Sequence, residues 1–355
     1  MSPIRVFMLP IRLSGNKYMD LLVDSLRRSG LTVEPINKRN LGKPGRGDVV
    51  HLHWPSFIYS GSNAAATTAK TAFFLFFLLY LKARGIRIVW TVHNVWPHSG
   101  GATRYHRLMR TILCAFCSRI IVMGEASKRE VVRLFRAKPG KLVQIPHGHY
   151  KEAYSLSGAD IRKRYGIPQG AYLFLFVGRL SPYKGLDLLL SSFAAMADEN
   201  AHLLVAGEPS DDFDASKLSG MGGNLHVSLG FVKDEELADY VAASDAVVLP
   251  YRNITTSGTA ILALSFHRPV VAPDIGLLRD YLNSDVSILY DPSEPDGLVR
   301  AMREMRESGA RFRDPKGYEA KLRDLDWGRI SSLTSRAYSE NAVERPEVRN
   351  RDLSR

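Results

Sequence analysis

Residues 172–177 (Tyr-Leu-Phe-Leu-Phe-Val) form an unbroken apolar run, and Gly178, Arg179, a short turn, Lys184 and Gly185 follow it directly. A helical pattern then covers residues 186–196. Strand, glycine turn and helix in that order are how an α/β sheet offers backbone N–H groups and a helix N-terminus to an anion. Arg179 and Lys184 place two positive charges beside such a site, enough to hold a diphosphate without calling on a metal. The plainer reading is a βα turn flanked by solvated basic residues. The GR-x4-KG spacing favours the anion site.

The same unit recurs along the chain. Strand-like stretches at 4–9, 31–33, 48–53, 87–93, 119–123 and 141–145 alternate with helical patterns at 18–28, 64–83, 105–116 and 127–135. After residue 171 the strand runs are 172–177, 202–206, 225–228, 246–249 and 269–272, with helices at 186–196, 234–243 and from 258 to 266. Repeated βα units in both halves predict two doubly wound parallel sheets, α/β in class. A length of 355 residues suits two domains. The expected division is 1–150 and 151–327, with a C-terminal helix at about 328–342 packing back on the first domain and a disordered tail at 343–355.

Charge separates the halves. Residues 1–150 hold 23 Lys and Arg against 6 Asp and Glu, whereas residues 151–355 hold 25 against 30. The whole excess of +12 therefore belongs to the first half, which points to an anionic partner. An anionic membrane surface is favoured over nucleic acid. The first half also carries the run Ala-Phe-Phe-Leu-Phe-Phe-Leu-Leu-Tyr-Leu at 72–81, and no RNP, zinc-finger or helix-turn-helix signature is present. Ten residues are too few to span a bilayer as a helix, so this run is either a core helix or a monotopic contact. Cys114 and Cys117 lie in one apolar segment with no second pair, and read as packing residues of an intracellular chain without disulfides. No secretory leader is expected from the short apolar run at 4–9.

Histidines cluster at predicted strand ends. His53 closes one strand and precedes Trp54-Pro55; His93 closes the next and precedes Asn94, Pro97 and His98. Ligands in open parallel sheets sit beyond the carboxyl ends of strands, so these residues are expected to face one cleft. Gly15 and Asn16 occupy the first βα loop, where a ligand can approach the backbone. His147 and His149 follow the last strand of the first half, and Ser257-Gly258-Thr259 opens an apolar helix in the second.

The combination of paired Rossmann-like domains, GR-x4-KG, a Ser-Gly helix start and a Pro-Val-Val-Ala strand resembles the GT-B glycosyltransferases of the large group-one type (family 4). More specific segments are His51-Leu52-His53-Trp54-Pro55, Thr91-Val92-His93-Asn94, His147-Gly148-His149-Tyr150, Pro182-Tyr183-Lys184-Gly185 and Leu249-Pro250-Tyr251 with Ser257-Gly258-Thr259. Over about residues 48–340 these are similar to the xanthan-pathway GDP-mannose:glycolipid β-1,4-mannosyltransferase family (glycosyltransferase family 94).

The resemblance implies a GT-B fold, its two domains facing a cleft, and sugar transfer to a polyprenyl-diphosphate-linked glycan. It implies a cytoplasmic protein, peripheral on the inner face of the plasma membrane, with GDP-mannose as donor and no cofactor or metal. Retaining group-one members carry Glu-x7-Glu before the Pro-Val-Val strand; the matching positions here are Ile254 and Leu262, which agrees with inversion at the anomeric carbon. Arg179, Lys184, Ser257, Gly258 and Thr259 would hold the donor diphosphate. Gly230, Phe231 and Val232 stand where such proteins read the base, with Glu208 in a neighbouring strand-end loop. The base that deprotonates the acceptor must come from the first domain. Its carboxylates fall mostly on helices or beside strand starts, so a histidine suits the task better. His93 is the first candidate and His98 the second. Gly15, Asn16, His53, Trp54, Asn94, His147 and His149 are candidates for acceptor or sugar binding. A UDP-sugar such as UDP-glucose or UDP-glucuronate remains open as donor, as does a catalytically silent nucleotide-sugar-binding protein.

Overall fold

The first sheet is built from β1 (Arg5–Leu9), β2 (Thr32–Pro35), β3 (Val49–His53), β4 (Arg87–Val92), β5 (Arg119–Val122) and β6 (Leu142–Gln144). The structure, a computed structural model, describes residues 4–13, 15–97, 101–214, 218, 222–253 and 257–339. By their contacts these fall into two compact units, one of residues up to 13, 22–145 and from 330, the other of residues up to 21 from the first βα loop together with 146–329.

In the first unit every strand pair is parallel and the order is β2-β1-β3-β4-β5-β6. Such a sheet has both faces covered, and β3 is accordingly buried at all five positions. Around it lie α1 (Lys17–Arg28), whose first turn groups with the second unit, α2 (Ser56–Tyr59), α3 (Ala64–Ala83), α4 (Arg104–Phe116) and α5 (Glu125–Phe135). Asn63 caps α3 by accepting the N–H of Ala66. Its inner face (Phe74, Phe77, Leu78 and Leu81) packs into the core with Tyr59, Trp90 and Leu113. At about 1.5–3 kcal/mol for each large apolar side chain, that face alone anchors the helix. Cys114 and Cys117 are buried free thiols in the same core, and burial pushes Cys114 up to about 12.

The second unit holds β7 (Tyr172–Val177), β8 (Ala201–Gly207), β9 (Leu225–Leu229), β10 (Ala246–Val248), β11 (Val270–Pro273) and β12 (Ser287–Tyr290), again all parallel, in the order β12-β11-β10-β7-β8-β9. Its helices are α6 (Ile161–Arg164), α7 (Leu186–Met196), α8 (Asp234–Ala243), α9 (Gly258–Ser265), α10 (Leu278–Tyr281), α11 (Gly297–Glu307) and α12 (Pro315–Asp324). The last helix, α13 (Trp327–Ser339), groups with the first unit from Ile330 onward. There the Tyr338 hydroxyl bonds His51 and its carbonyl accepts from Arg87. The expected tail at 343–355 lies outside the described residues.

Strand order reverses between β1 and β3 in the first unit, and between β7 and β10 in the second. Those are the switch points at which an open α/β sheet takes its ligands.

Candidate active site

At the switch point of the second unit, two loops converge. β7 ends in Gly178, whose φ of +127° only glycine adopts without strain. The Gly178 carbonyl comes so close to Gly207, at the end of β8, that a Cβ there would lie 1.9 Å from its oxygen. The loop then pairs with the residues after β8: Leu180 N–H donates to the Glu208 carbonyl, and Ser210 N–H to that of Leu180. A 3₁₀ turn over Pro182–Lys184 ends at Gly185, where a Cβ would meet the Pro250 carbonyl at 2.0 Å.

This tight path folds Lys184 back over the start of its own loop. A Cβ on Gly178 would stand 2.8 Å from the Lys184 Nζ and 3.8 Å from the Thr259 Oγ1. The ammonium also lies over the Tyr251 ring, 5.7 Å from its centre. Burial lowers the Lys184 pKa, and Arg179 lowers it further. Among the described residues neither Arg179 nor Lys184 forms an ion pair. A desolvated ammonium over a bare glycine backbone, with the exposed Arg179 next in the chain, is the electrostatic form of an anion site.

The other loop, after β10, supplies the helix start. Ser257 is the N-cap of α9 and accepts the Ala260 N–H at 3.1 Å. The N–H groups of Gly258 and Thr259 stand in the first turn, where no helical carbonyl can pair them. Tyr251 is buried, and its hydroxyl faces the side chains of Ser257 and Thr259. Arg252 ties the two loops together, its N–H to the Tyr183 carbonyl and its guanidinium to Asp187. All five residues expected to hold the diphosphate therefore sit on the two loops of one switch point. Tyr251 enters the sequence reading only within the Leu249-Pro250-Tyr251 segment; its place under Lys184 comes from the folding of the two loops.

Beyond β8 and β9 the residues expected to meet a nucleoside lie along the same sheet end. Gly230 N–H donates to the Gly207 carbonyl, extending the ladder past β9. Phe231 leaves 65% of its surface exposed, Val232 is half-buried, and Glu208 is exposed beyond the carbonyl that pairs with Leu180.

Residues 147–150 were expected to close the first domain, but they group with the second unit. The His147 N–H donates to the Tyr281 hydroxyl at 2.7 Å and the Tyr150 N–H to the Ser265 Oγ at 2.9 Å. Both partners are more than a hundred residues away, so no local pattern could reveal them. His149 is held by the segment before α13: its N–H meets the Leu325 carbonyl, and its own carbonyl accepts from the Trp327 indole. Gly15 and Asn16 also group with this unit, Gly15 at φ +69° with open space around it.

In the first unit, three histidines meet at the ends of β3 and β4. His51 is bonded on both ring nitrogens at 2.7 Å, to the Tyr338 hydroxyl and to Thr91 Oγ1. His53 Nδ1 lies 2.8 Å from His93 Nε2, and Trp54 stacks on His93 with ring centres 3.9 Å apart. His53 is wholly buried, and burial pushes its pKa down to about 3; it is neutral at neutral pH. Its Nε2 has no protein partner among the described residues. With His93 Nε2–H donating to His53 Nδ1, the remaining His93 nitrogen, Nδ1, carries a lone pair. His53 thus faces His93 and is placed to act through it. Asn94 is half-buried, and its carbonyl accepts from the buried Arg110 guanidinium at 2.7 Å. His98 lies outside the described residues. Leu262, at the place of the second glutamate of retaining enzymes, is buried in α9, and Ile254 lies outside the described residues.

Comparison with known proteins matches residues 31–150 to the family described as Glycosyltransferase Family 4, and residues 171–308 to that described as Glycosyl transferases group 1. A GDP-mannose:glycolipid 4-beta-D-mannosyltransferase from Xanthomonas campestris pv. campestris is 28% identical over 304 residues, covering 83% of this chain and 80% of that protein. A D-inositol 3-phosphate glycosyltransferase from Kineococcus radiotolerans is 28% identical over 260 residues, 66% of this chain and 60% of its own. Among solved structures, a sucrose-phosphate synthase from Thermosynechococcus elongatus superposes with a TM-score of 0.72 at 15% identity, over 95% of this chain and 98% of the other.

Proposed function

The chain is a glycosyltransferase of the GT-B fold, a Family 4 domain followed by a group 1 domain, and on that premise we propose that it transfers mannose from GDP-mannose to a polyprenyl-diphosphate-linked glycan with inversion at the anomeric carbon. The observation that carries this reading is the Lys184 ammonium, folded over Gly178 beside Thr259 in the open first turn of α9, with the exposed Arg179 on the same loop. Sugar transfer builds negative charge on the leaving diphosphate, and preorganised cations and N–H groups stabilise that charge as it forms. Two fixed positive charges do there what a divalent cation does in other transferases, so the reaction runs without a metal. The mannose and its lipid-linked acceptor are supported by the Xanthomonas relative, which covers most of both chains.

Inversion requires one displacement, with the acceptor hydroxyl giving up its proton as it attacks. His93 takes that proton on Nδ1, and neutral His53 fixes the ring by accepting its Nε2–H. Leu262 leaves α9 without the carboxylate a retaining relative places there.

The acceptor's lipid places the enzyme at the cytoplasmic face of an anionic membrane. α3 suits that surface: Phe73, Phe76 and Leu79 stand exposed along one stripe opposite its packed face, and Phe57 of α2 is exposed too. Lys70, Lys82 and Arg84 flank the stripe, on the unit that carries the chain's positive excess.

The donor is tested by thermal unfolding with GDP, GDP-mannose, UDP and UDP-glucose. A shift with the guanosine pair alone supports the proposal. A shift with the uridine pair alone replaces the donor by a UDP-sugar, and no shift with any removes the donor site.

A further inference from the structure

The donor site has a polar group that neither its glycines nor its cations explain. Tyr150 is 8% exposed, and its hydroxyl oxygen lies 3.2 Å from where a Cβ on Gly258 would stand, directly over the first residue of α9. Its backbone N–H is tied to Ser265 at the other end of the same helix. The side chain is therefore clamped along α9 with its hydroxyl at the N-terminus.

That hydroxyl has one weak protein partner among the described residues, the His147 Nε2 at 3.4 Å. His147 Nδ1 lies 2.7 Å from the Gly148 carbonyl. A carbonyl only accepts, so Nδ1 carries the proton and Nε2 presents a lone pair. Burial holds His147 down at about 4, so it stays neutral near pH 7 and Tyr150 is the donor in the contact. His147 is itself fixed by the Tyr281 hydroxyl on its N–H and by the Tyr18 ring, 4.5 Å from its own. A buried hydroxyl with a long, weak bond, aimed over N–H groups that have no partner among the described residues, keeps its proton available for a ligand.

We propose that Tyr150 is a ligand of the donor diphosphate, its hydroxyl leaving His147 to donate to a phosphate oxygen lodged against Gly258 and Thr259. This rests on the donor site proposed above and adds to it a neutral arm opposite the two cations. It also gives Gly258 a reason to be glycine, since a methyl group there would press on the Tyr150 hydroxyl.

The test is calorimetric titration of the full-length wild type, Tyr150→Phe and Lys184→Met with GDP, UDP and inorganic pyrophosphate. Removing one charge-assisted hydrogen bond should weaken whichever of these the wild type binds by about tenfold or more in Tyr150→Phe. Its unfolding midpoint without ligand should stay at the wild-type value, because the hydroxyl has no strong protein partner to lose. Unchanged affinity in Tyr150→Phe, with a clear loss in Lys184→Met, overturns the role of Tyr150 and leaves the donor site standing. A fall in midpoint with no loss of affinity overturns it as well, by making the hydroxyl structural. Absence of binding by the wild type to all three probes overturns both readings.

Discussion

Replacing Lys184 with methionine should move two measurements in opposite directions, and that opposition separates a ligand-binding cation from a structural one. The Lys184 ammonium is folded over Gly178 and against Tyr251, is desolvated, stands beside a second cation and has no ion pair among the described residues. Methionine of similar length removes a charge whose burial is uncompensated, so the ligand-free protein should gain stability, by roughly 1 kcal/mol. For a unit of this size that is a rise of about 2–4 °C in the unfolding midpoint. The ligand response should collapse. Wild type with GDP at about a hundred times its dissociation constant gains about 2.7 kcal/mol. Losing a charge-assisted bond worth about 1.5–3 kcal/mol weakens binding by about 10- to 100-fold or more. The same GDP concentration then adds only about 0.4–1.4 kcal/mol. Scanning fluorimetry with and without GDP reads both effects in one plate. A lower ligand-free midpoint with an undiminished GDP shift would refute the reasoning, because the lysine would then be holding the loop.

His93→Ala should cut sugar transfer by at least about a hundredfold while leaving GDP affinity unchanged, as loss of a general base does; near-normal turnover in both His93→Ala and His98→Ala contradicts the assignment. His53 binds protons only near pH 3 when folded but near 6.5 when unfolded, so below pH 6.5 the unfolded state takes up a proton that the folded state does not. Its share of stability therefore falls as pH drops from about 6.5 toward 3, by up to about 1.4 kcal/mol per pH unit. His53→Gln should flatten that slope in denaturant titrations at pH 7, 6 and 5, and an unchanged slope counts against the buried neutral ring. The Phe76→Asp, Leu79→Asp double variant should lose binding to phosphatidylglycerol vesicles without a fall in unfolding midpoint, since both side chains are exposed. Wild type should lose its binding at high salt, and no binding at low salt removes the membrane contact.

The sheets were legible because buried parallel strands are rich in β-branched and apolar residues: β7 is an unbroken run, and β3, β4 and β8 are interrupted only by single polar residues. The diphosphate site was legible for a related reason: glycine turns with basic residues at fixed spacing are local features. What escaped depends on distance along the chain. Residues 147–150 belong with the second unit because Tyr281 and Ser265 bond their backbone, and Tyr150 gains its meaning only when α9 lies under it. His53 and His93 were singled out together as strand-end residues. Their direct bond, and the burial that takes His53 off the surface, come from register between β3 and β4. On α3 the sequence offered ten apolar residues as either core or surface. The helix uses them both ways, Phe74, Phe77, Leu78 and Leu81 inward and Phe73, Phe76 and Leu79 outward.

Inverting mannosyl transfer is tested most directly by incubating the enzyme with radiolabelled GDP-mannose and a polyprenyl-diphosphate-linked glycan, then determining the anomeric configuration of the new linkage by NMR. Label is expected in the lipid fraction as β-linked mannose, from an α-linked donor. An α-linked product would contradict inversion and the part given to His93, and label passing from UDP-glucose but not from GDP-mannose would contradict the donor.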